Sequence, residues 1–161
     1  MKKVTKEQLR DMILRGEDIS NVDYSHITYM SWMFKGCTNL KEIPHLDTSK
    51  VIHMYSMFNG CTNFKEIPHL DTSKVTDMSY MFNGCTNFKE IPHLDTSKVT
   101  DMEGMFGKCI NLKKIPHLDM SEMFLGCINL EYLESPEDFD SRYFDKEQNP
   151  LIYKNYLEMF L

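Results

Sequence analysis

Apolar and polar positions along this chain recur with one long period. The string L-D-T-S-K-V begins at Leu46, Leu70 and Leu94, and Cys37, Cys61, Cys85 and Cys109 fall 24 residues apart. A fixed period of about 20 to 50 residues marks an architecture built by stacking like units. One unit reads L-D-T-S-K-V-T-D-M-x-x-M-F-x-G-C-T-N-L/F-K-E-I-P-H. The pairs Met30/Met33, Met54/Met57, Met78/Met81 and Met102/Met105, followed by Phe34, Phe58, Phe82 and Phe106, put apolar side chains at the same point of every unit. Stacked, they would form continuous columns, and those columns are the expected core.

Within a unit, the alternation of V-T-D-M predicts a short strand with Val and Met inward. Runs such as F-K-E-I, opening at Leu40, Phe64, Phe88, Leu112 and Leu130, predict a second strand, ended by Pro44, Pro68, Pro92 and Pro116 because proline cannot donate to a ladder. Gly36, Gly60, Gly84 and Gly126 sit where a tight turn needs positive φ. Lys108 stands where the fourth such glycine belongs, with Gly107 one step early, so the fourth turn is expected to differ in shape. Cys127 follows Cys109 by only 18 residues, because the last copy, LDMSEMF from Leu118 to Phe124, lacks six residues. A clipped final coil is what a stack of repeats shows where it closes.

The flanks read as helices. Thr5 with Gln8 three residues on matches a capping box, Leu9, Met12 and Ile13 supply an apolar stripe, and Gly16 suits the stop. Ser135-Pro136 and Asn149-Pro150 are two further helix starts, with Leu151, Tyr153, Leu157 and Phe160 placed to seal the far end. The expected fold is α+β: a leucine-rich-repeat-type solenoid of about five 24-residue coils with short strands and helical caps at both ends. It forms a single domain over 1–161, with an N-terminal cap at 1–19, repeats at 20–133 and a C-terminal cap at 134–161.

Composition adds limits. Apolar residues at 42% and charged residues at 26% are ordinary for a globular chain and exclude wholesale disorder. The net charge of -6 sits in the tail: residues 131–161 hold eight acids and three bases, which leaves 16 acids and 15 bases in residues 1–130. A nearly neutral repeat region predicts no direct nucleic-acid binding. No window reaches the roughly 20 apolar residues of a membrane-spanning helix, and the start lacks the apolar stretch of a secretory signal. The expectation is a cytoplasmic protein off the membrane, with a cell-surface or secreted location as the alternative if a signal was removed.

The string D-T-S-x-V-T-x-M-x-x-M-F-x-x-C, carried by Asp71 to Cys85 and Asp95 to Cys109, resembles the BspA-like leucine-rich repeat family of bacterial surface proteins. The resemblance covers about residues 20–130. It implies a repeat scaffold associated with adhesion and with protein binding in general, often in long secreted or lipid-anchored chains.

The cysteines share one place in successive units instead of forming the close pairs of a zinc site, which predicts a column of buried, reduced thiols. His45, His69, His93 and His117 stand two residues before Asp47, Asp71, Asp95 and Asp119. Such a ladder could bind metal or act as a pH switch near the unperturbed histidine pKa of about 6.5, but the stronger expectation is repeat residues on a solvated corner. A catalytic constellation, single by nature, is not expected where every candidate occurs four times. No catalytic residue, cofactor or metal is therefore expected, and the chain is read as a non-enzyme.

The positions that vary are more informative. Between the paired methionines lie Ser31/Trp32, Tyr55/Ser56, Ser79/Tyr80, Glu103/Gly104 and Ser121/Glu122, and just before them come Tyr29, His53, Asp77 and Asp101. With Met inward, Tyr29, Trp32, His53, Tyr55, Asp77, Tyr80, Asp101 and Glu103 are expected on one outer face, rich in residue types that dominate binding hot spots. The competing placement packs Trp32 and one or more tyrosines against the N-terminal helix as a cap. The expected function is recognition of a protein partner by a monomer or homodimer. The alternatives are a small phage or mobile-element inhibitor of a host immune or enzyme complex, and a surface adhesin fragment.

Overall fold

The computed structural model describes residues 1–65, 69–89, 94–115 and 132–133. A two-residue strand β1, Lys2–Lys3, pairs in parallel with β2, Val22–Asp23. Between them runs a single helix α1, Lys6–Leu14. Its start is set by a reciprocal capping box: the Gln8 amide donates to Thr5 Oγ1 at 3.2 Å and the Thr5 amide donates to Gln8 Oε1 at 3.0 Å. Arg15 and then Gly16, at φ +70°, end it. Leu9 and Ile13, one helical turn apart, are buried.

The 24-residue units lie side by side, parallel and in register. In the first unit the amides of Met30, Trp32, Phe34 and Gly36 donate to the carbonyls of His53, Tyr55, Met57 and Asn59 at 2.7–3.0 Å. The second and third units repeat the same four bonds, ending with Met78, Tyr80, Phe82 and Gly84 on Asp101, Glu103, Met105 and Gly107. The core follows directly. Phe34, Phe58, Phe82 and Phe106 stack with centroids 5.5 Å apart at each step and interplanar angles of 12°, 2° and 10°. Both methionines of the first three units are buried as well. Removal of one such ring costs about 3–5 kcal/mol, since its neighbours close only part of the cavity.

The expected α+β leucine-rich-repeat-type solenoid, with its two strands per coil and two helical caps, is overturned. Among the described residues there is one nine-residue helix and four strands of two residues each. V-T-D-M does not form a strand; each unit contributes one bridging residue, in the series Tyr29, His53, Asp77, Asp101. The physical reason lies three residues further on. Trp32, Ser56, Tyr80 and Gly104 all hold φ between +52° and +60°, a left-handed conformation that ends extended backbone at once. Tight i to i+3 turns then follow one another, Met33 to Met30, Lys35 to Trp32 and Cys37 to Phe34, so the chain from the first Met to Cys is a run of turns.

The second expected strand is also absent at Leu40–Ile43. It is present where β3, Lys114–Ile115, pairs in parallel with β4, Tyr132–Leu133. That pairing joins Lys114 to Tyr132, a separation of 132 − 114 = 18, the spacing of the clipped last repeat. The N-terminal cap placed over 1–19 is corrected to a helix of Lys6–Leu14 preceded by β1. The cap at 134–161, Gly126, Ser121, Glu122, His93 and His117 lie outside the described residues. Of the described helical residues, none forms a stretch long and apolar enough to cross a membrane.

Two of the turn expectations concern glycine. Gly36, Gly60 and Gly84 hold φ of +72°, +75° and +73°, as the turn requires. Lys108 holds φ +59°, so the fourth turn keeps the shape of the others and forces a lysine into it. The bond from Gly84 to the Gly107 carbonyl, at 2.8 Å, matches that from Gly60 to Asn83.

The first unit has no preceding unit to satisfy its carbonyls, and α1 supplies cations instead. Arg10 Nε donates to the Met33 carbonyl at 2.7 Å, and Lys6 Nζ donates to the Ser31 carbonyl at 3.2 Å. In the units that follow, the equivalent carbonyls, of Tyr55 and Met57 for example, accept backbone amides. Two charged side chains thus stand in for a row of N–H groups, which leaves that edge less open to pairing with another chain.

Candidate functional site

All eight candidate residues come together on adjoining columns of one surface. The first column is the bridge series itself: Tyr29, His53, Asp77 and Asp101 lie side by side, one per unit. Tyr29 and His53 pack with ring centroids 4.9 Å apart.

The second column is a zigzag built from the two residues between the methionines. Each unit places one large and one small residue there, and the order alternates: Ser31-Trp32, Tyr55-Ser56, Ser79-Tyr80, Glu103-Gly104. Ser31, Ser56 and Ser79 are buried, while the large partners lie outward. Trp32 meets Tyr55 edge-on at 5.2 Å and Tyr55 meets Tyr80 edge-on at 6.0 Å. The series ends where the Tyr80 hydroxyl donates to Glu103 Oε1 and the ring lies across Gly104. A Cβ on Gly104 would stand 2.7 Å from a Tyr80 ring carbon, so glycine at 104 is the socket for Tyr80.

The face is therefore graded, aromatic toward the first unit and acidic toward the fourth. Trp32 is 49% exposed and Tyr29 46% exposed, so the helix leaves about half of each free. α1 reaches this face through Lys6, whose Nζ lies 6.0 Å from the Tyr29 ring centroid. At the acidic end, Asp77 Oδ1 accepts from the amide and hydroxyl of Ser79, at 2.9 and 2.6 Å, and Asp101 Oδ1 accepts from the Glu103 amide at 3.0 Å. The hydrogen bond to Glu103, together with the nearby Glu103 and Asp101 charges, pushes the Tyr80 phenol up to about 12. It stays a neutral donor.

Substitution of Asp77 by Tyr29 in the first unit has a visible cost. Ser79 Oγ has an aspartate to bond; Ser31 Oγ, at the equivalent place, is buried with no hydrogen-bond partner.

Elsewhere the repeated polar residues are structural. Cys37, Cys61, Cys85 and Cys109 are free thiols, and Cys61, Cys85 and Cys109 are buried, each Sγ donating to the phenylalanine carbonyl of the preceding unit at 3.0–3.2 Å. Burial pushes the Cys61 thiol up to about 12 and raises Cys85 further, which keeps both protonated and unreactive. His45 and His69 lie exposed on their corners. Asp47, Asp71 and Asp95 each accept from the amide two residues on, capping a turn. Among the described residues no group of three or more His, Cys, Asp or Glu is placed to hold a metal. A groove of about 930 Å³ lies between the end of α1 and the first unit, lined by Ile13, Cys37, Leu40 and Ile43 among others. None of the eight face residues lines it.

Residues 3–117 match the family described as "Mycoplasma protein of unknown function, DUF285". The chain belongs to the DUF285 family. The match takes in α1, the units from Tyr29 to Ile115 and all eight residues of the DUF285 chain's graded face, and stops before β4. Neither the curated proteins nor the solved structures contain a match to it.

Sequence reasoning missed three contributors to this site. Lys6 escaped because its role depends on which edge of the first unit presents carbonyls. Gly104 and the buried serines were visible only as variation, though their strict large-small alternation with Trp32, Tyr55 and Tyr80 is a signal that packing between neighbours fixes those positions.

Proposed function

We propose that this DUF285 chain is a non-catalytic binding module that recognises a partner protein through its graded face. The observation that carries the reading is the series Trp32, Tyr55 and Tyr80, held by ring-on-ring contacts on the outside of the repeat units beside the Tyr29–His53 pair, with Trp32 and Tyr29 half exposed. Exposed, pre-packed tryptophan and tyrosine lose little side-chain entropy on binding, and they anchor most protein interfaces. The D-T-S-x-V-T-x-M-x-x-M-F-x-x-C string supports kinship with the BspA-like repeat proteins within this reading, and through it a role in protein binding.

The test is affinity capture from the source cell's lysate with the full chain, beside a variant carrying Trp32→Ala, Tyr55→Ala and Tyr80→Ala, and a Lys41→Ala control. A stoichiometric partner retained by the control and lost in the triple variant is the expected result. Equal capture by all three chains would exclude this face as the recognition surface.

A further inference from the structure

We infer that the partner segment taken by this face is cationic, a stretch bearing arginine or lysine side chains that seat over the tyrosine and tryptophan rings and against the carboxylates of Asp77, Asp101 and Glu103. This deepens the protein-binding reading and rests on it. Three observations carry it.

First, the face already holds one cation of its own. The Lys6 ammonium lies 6.0 Å from the Tyr29 ring centroid while donating to the Ser31 carbonyl. That is the arrangement in which an ammonium or guanidinium gains from a ring quadrupole and keeps a hydrogen bond. Second, the outward aromatic series continues past that point through exposed Trp32 and half-buried Tyr55 and Tyr80 with no further cation of the chain over it among the described residues. Third, the series runs into three carboxylates, none of which is ion-paired to a described base. Local hydrogen bonds from Ser79 and from the Glu103 amide fix Asp77 and Asp101 in place, so little is lost in ordering them.

Charge complementarity then selects the occupant. An anionic segment would be repelled by all three carboxylates, and a wholly apolar one would strip them of water without replacing it. A guanidinium answers both halves of the face, because it stacks on rings and bonds carboxylates through one planar group.

Trp32 is the chain's single tryptophan, so its emission reports this face alone. The probes are synthetic eight-residue peptides of alternating glycine with arginine, lysine or glutamate, titrated into the full chain at 50 and 300 mM salt. The expected result is a change in Trp32 emission on arginine peptide, at least tenfold tighter than with the glutamate peptide and weakened at 300 mM salt. An Asp77→Asn, Asp101→Asn, Glu103→Gln variant, which keeps each local acceptor oxygen and thus the fold, should lose at least fivefold in affinity. Equal response to the arginine and glutamate peptides, or unchanged affinity in the amide variant with its denaturation midpoint intact, would overturn the inference. If the peptides fail while lysate capture is still lost in the alanine variant, the protein-binding reading stands and its partner is not cationic. A clear arginine preference with lysate capture indifferent to the alanines does the reverse.

Discussion

Arg10 offers the most direct measure of how the exposed end of the repeat units is held. Arg10→Met keeps the aliphatic stem and its packing, and removes the Nε donor that meets the Met33 carbonyl at 2.7 Å, the contact of Nη2 with Cys37 Sγ at 3.6 Å and the exposed pair of Nη1 with Asp11 Oδ1 at 3.2 Å. A hydrogen bond from a charged donor contributes about 1.5–3 kcal/mol when buried. The Arg10 side chain is 38% exposed, so water recovers part of that, and about 1–2 kcal/mol is expected. Arg15 is the internal control. It lies just past the same helix, is 66% exposed, and bonds only Glu17 and the Asp11 carbonyl, so Arg15→Met should cost under about 0.5 kcal/mol. Urea unfolding followed by Trp32 emission reads the first unit, and circular dichroism reads the whole chain. Repeat units can uncouple, so the loss should appear in Trp32 emission at least as early as in the global signal. Equal midpoints for Arg10→Met and Arg15→Met would refute the assignment of Arg10 as the donor that completes this edge.

Four further outcomes follow from the same packing. Gly104→Ala should cost more than the roughly 1–2 kcal/mol of a left-handed alanine, because its Cβ meets the Tyr80 ring, and the excess should vanish in a Tyr80→Ser background, as a double-mutant cycle in urea would reveal. Lys108→Gly should stabilise by about 0.5–1 kcal/mol, since it relieves a lysine held at φ +59°; a raised urea midpoint checks it. Glu103→Gln should return the Tyr80 phenol from about 12 toward the ordinary value near 10, read as an earlier-titrating fraction of the chain's eight tyrosines by ultraviolet absorbance. Hydrogen bonds from Ser49 and Ser73 hold the Asp47 and Asp71 carboxyls below the ordinary 3.8, so their contribution is present above that value and is lost as pH falls through the lower folded value. The urea midpoint should therefore drop below about pH 4, and Ser73→Ala should shrink the drop.

The repeat register was legible because identical residues 24 apart can stack only on one another. Phe34, Phe58, Phe82 and Phe106 announce their column by that fact alone. The capping box of Thr5 and Gln8 and the left-handed glycines at 36, 60 and 84 were legible for a different reason, since each depends on contacts within a few residues. The strands were misread because V-T-D-M alternates like a strand but is stopped by its own sequel. Alternation cannot separate one bridging residue from four, and the left-handed residue that makes the difference is Trp32, Ser56 or Tyr80, none of which advertises positive φ. Only Gly104 hints at it, and Lys108 shows the same override at the next turn, where the stacked neighbours impose a backbone that the local residue disfavours.

The graded face shows how a repeating scaffold can carry a surface that does not repeat. Met, Phe and Cys stay constant because nearly all of the described copies are buried in the core, where a smaller side chain would open a cavity. The two residues between the methionines escape that constraint only in pairs. Trp32 needs room beside it, and the neighbouring unit supplies Ser56 at the same position while sending Tyr55 outward from the position where the first unit keeps Ser31. Tyr80 is accommodated in turn by Gly104. A free aromatic at every unit would collide with its neighbours, and a serine at every unit would leave no surface to read. The alternation is the arrangement that satisfies both, and it leaves Trp32, Tyr55 and Tyr80 supporting one another before any partner arrives.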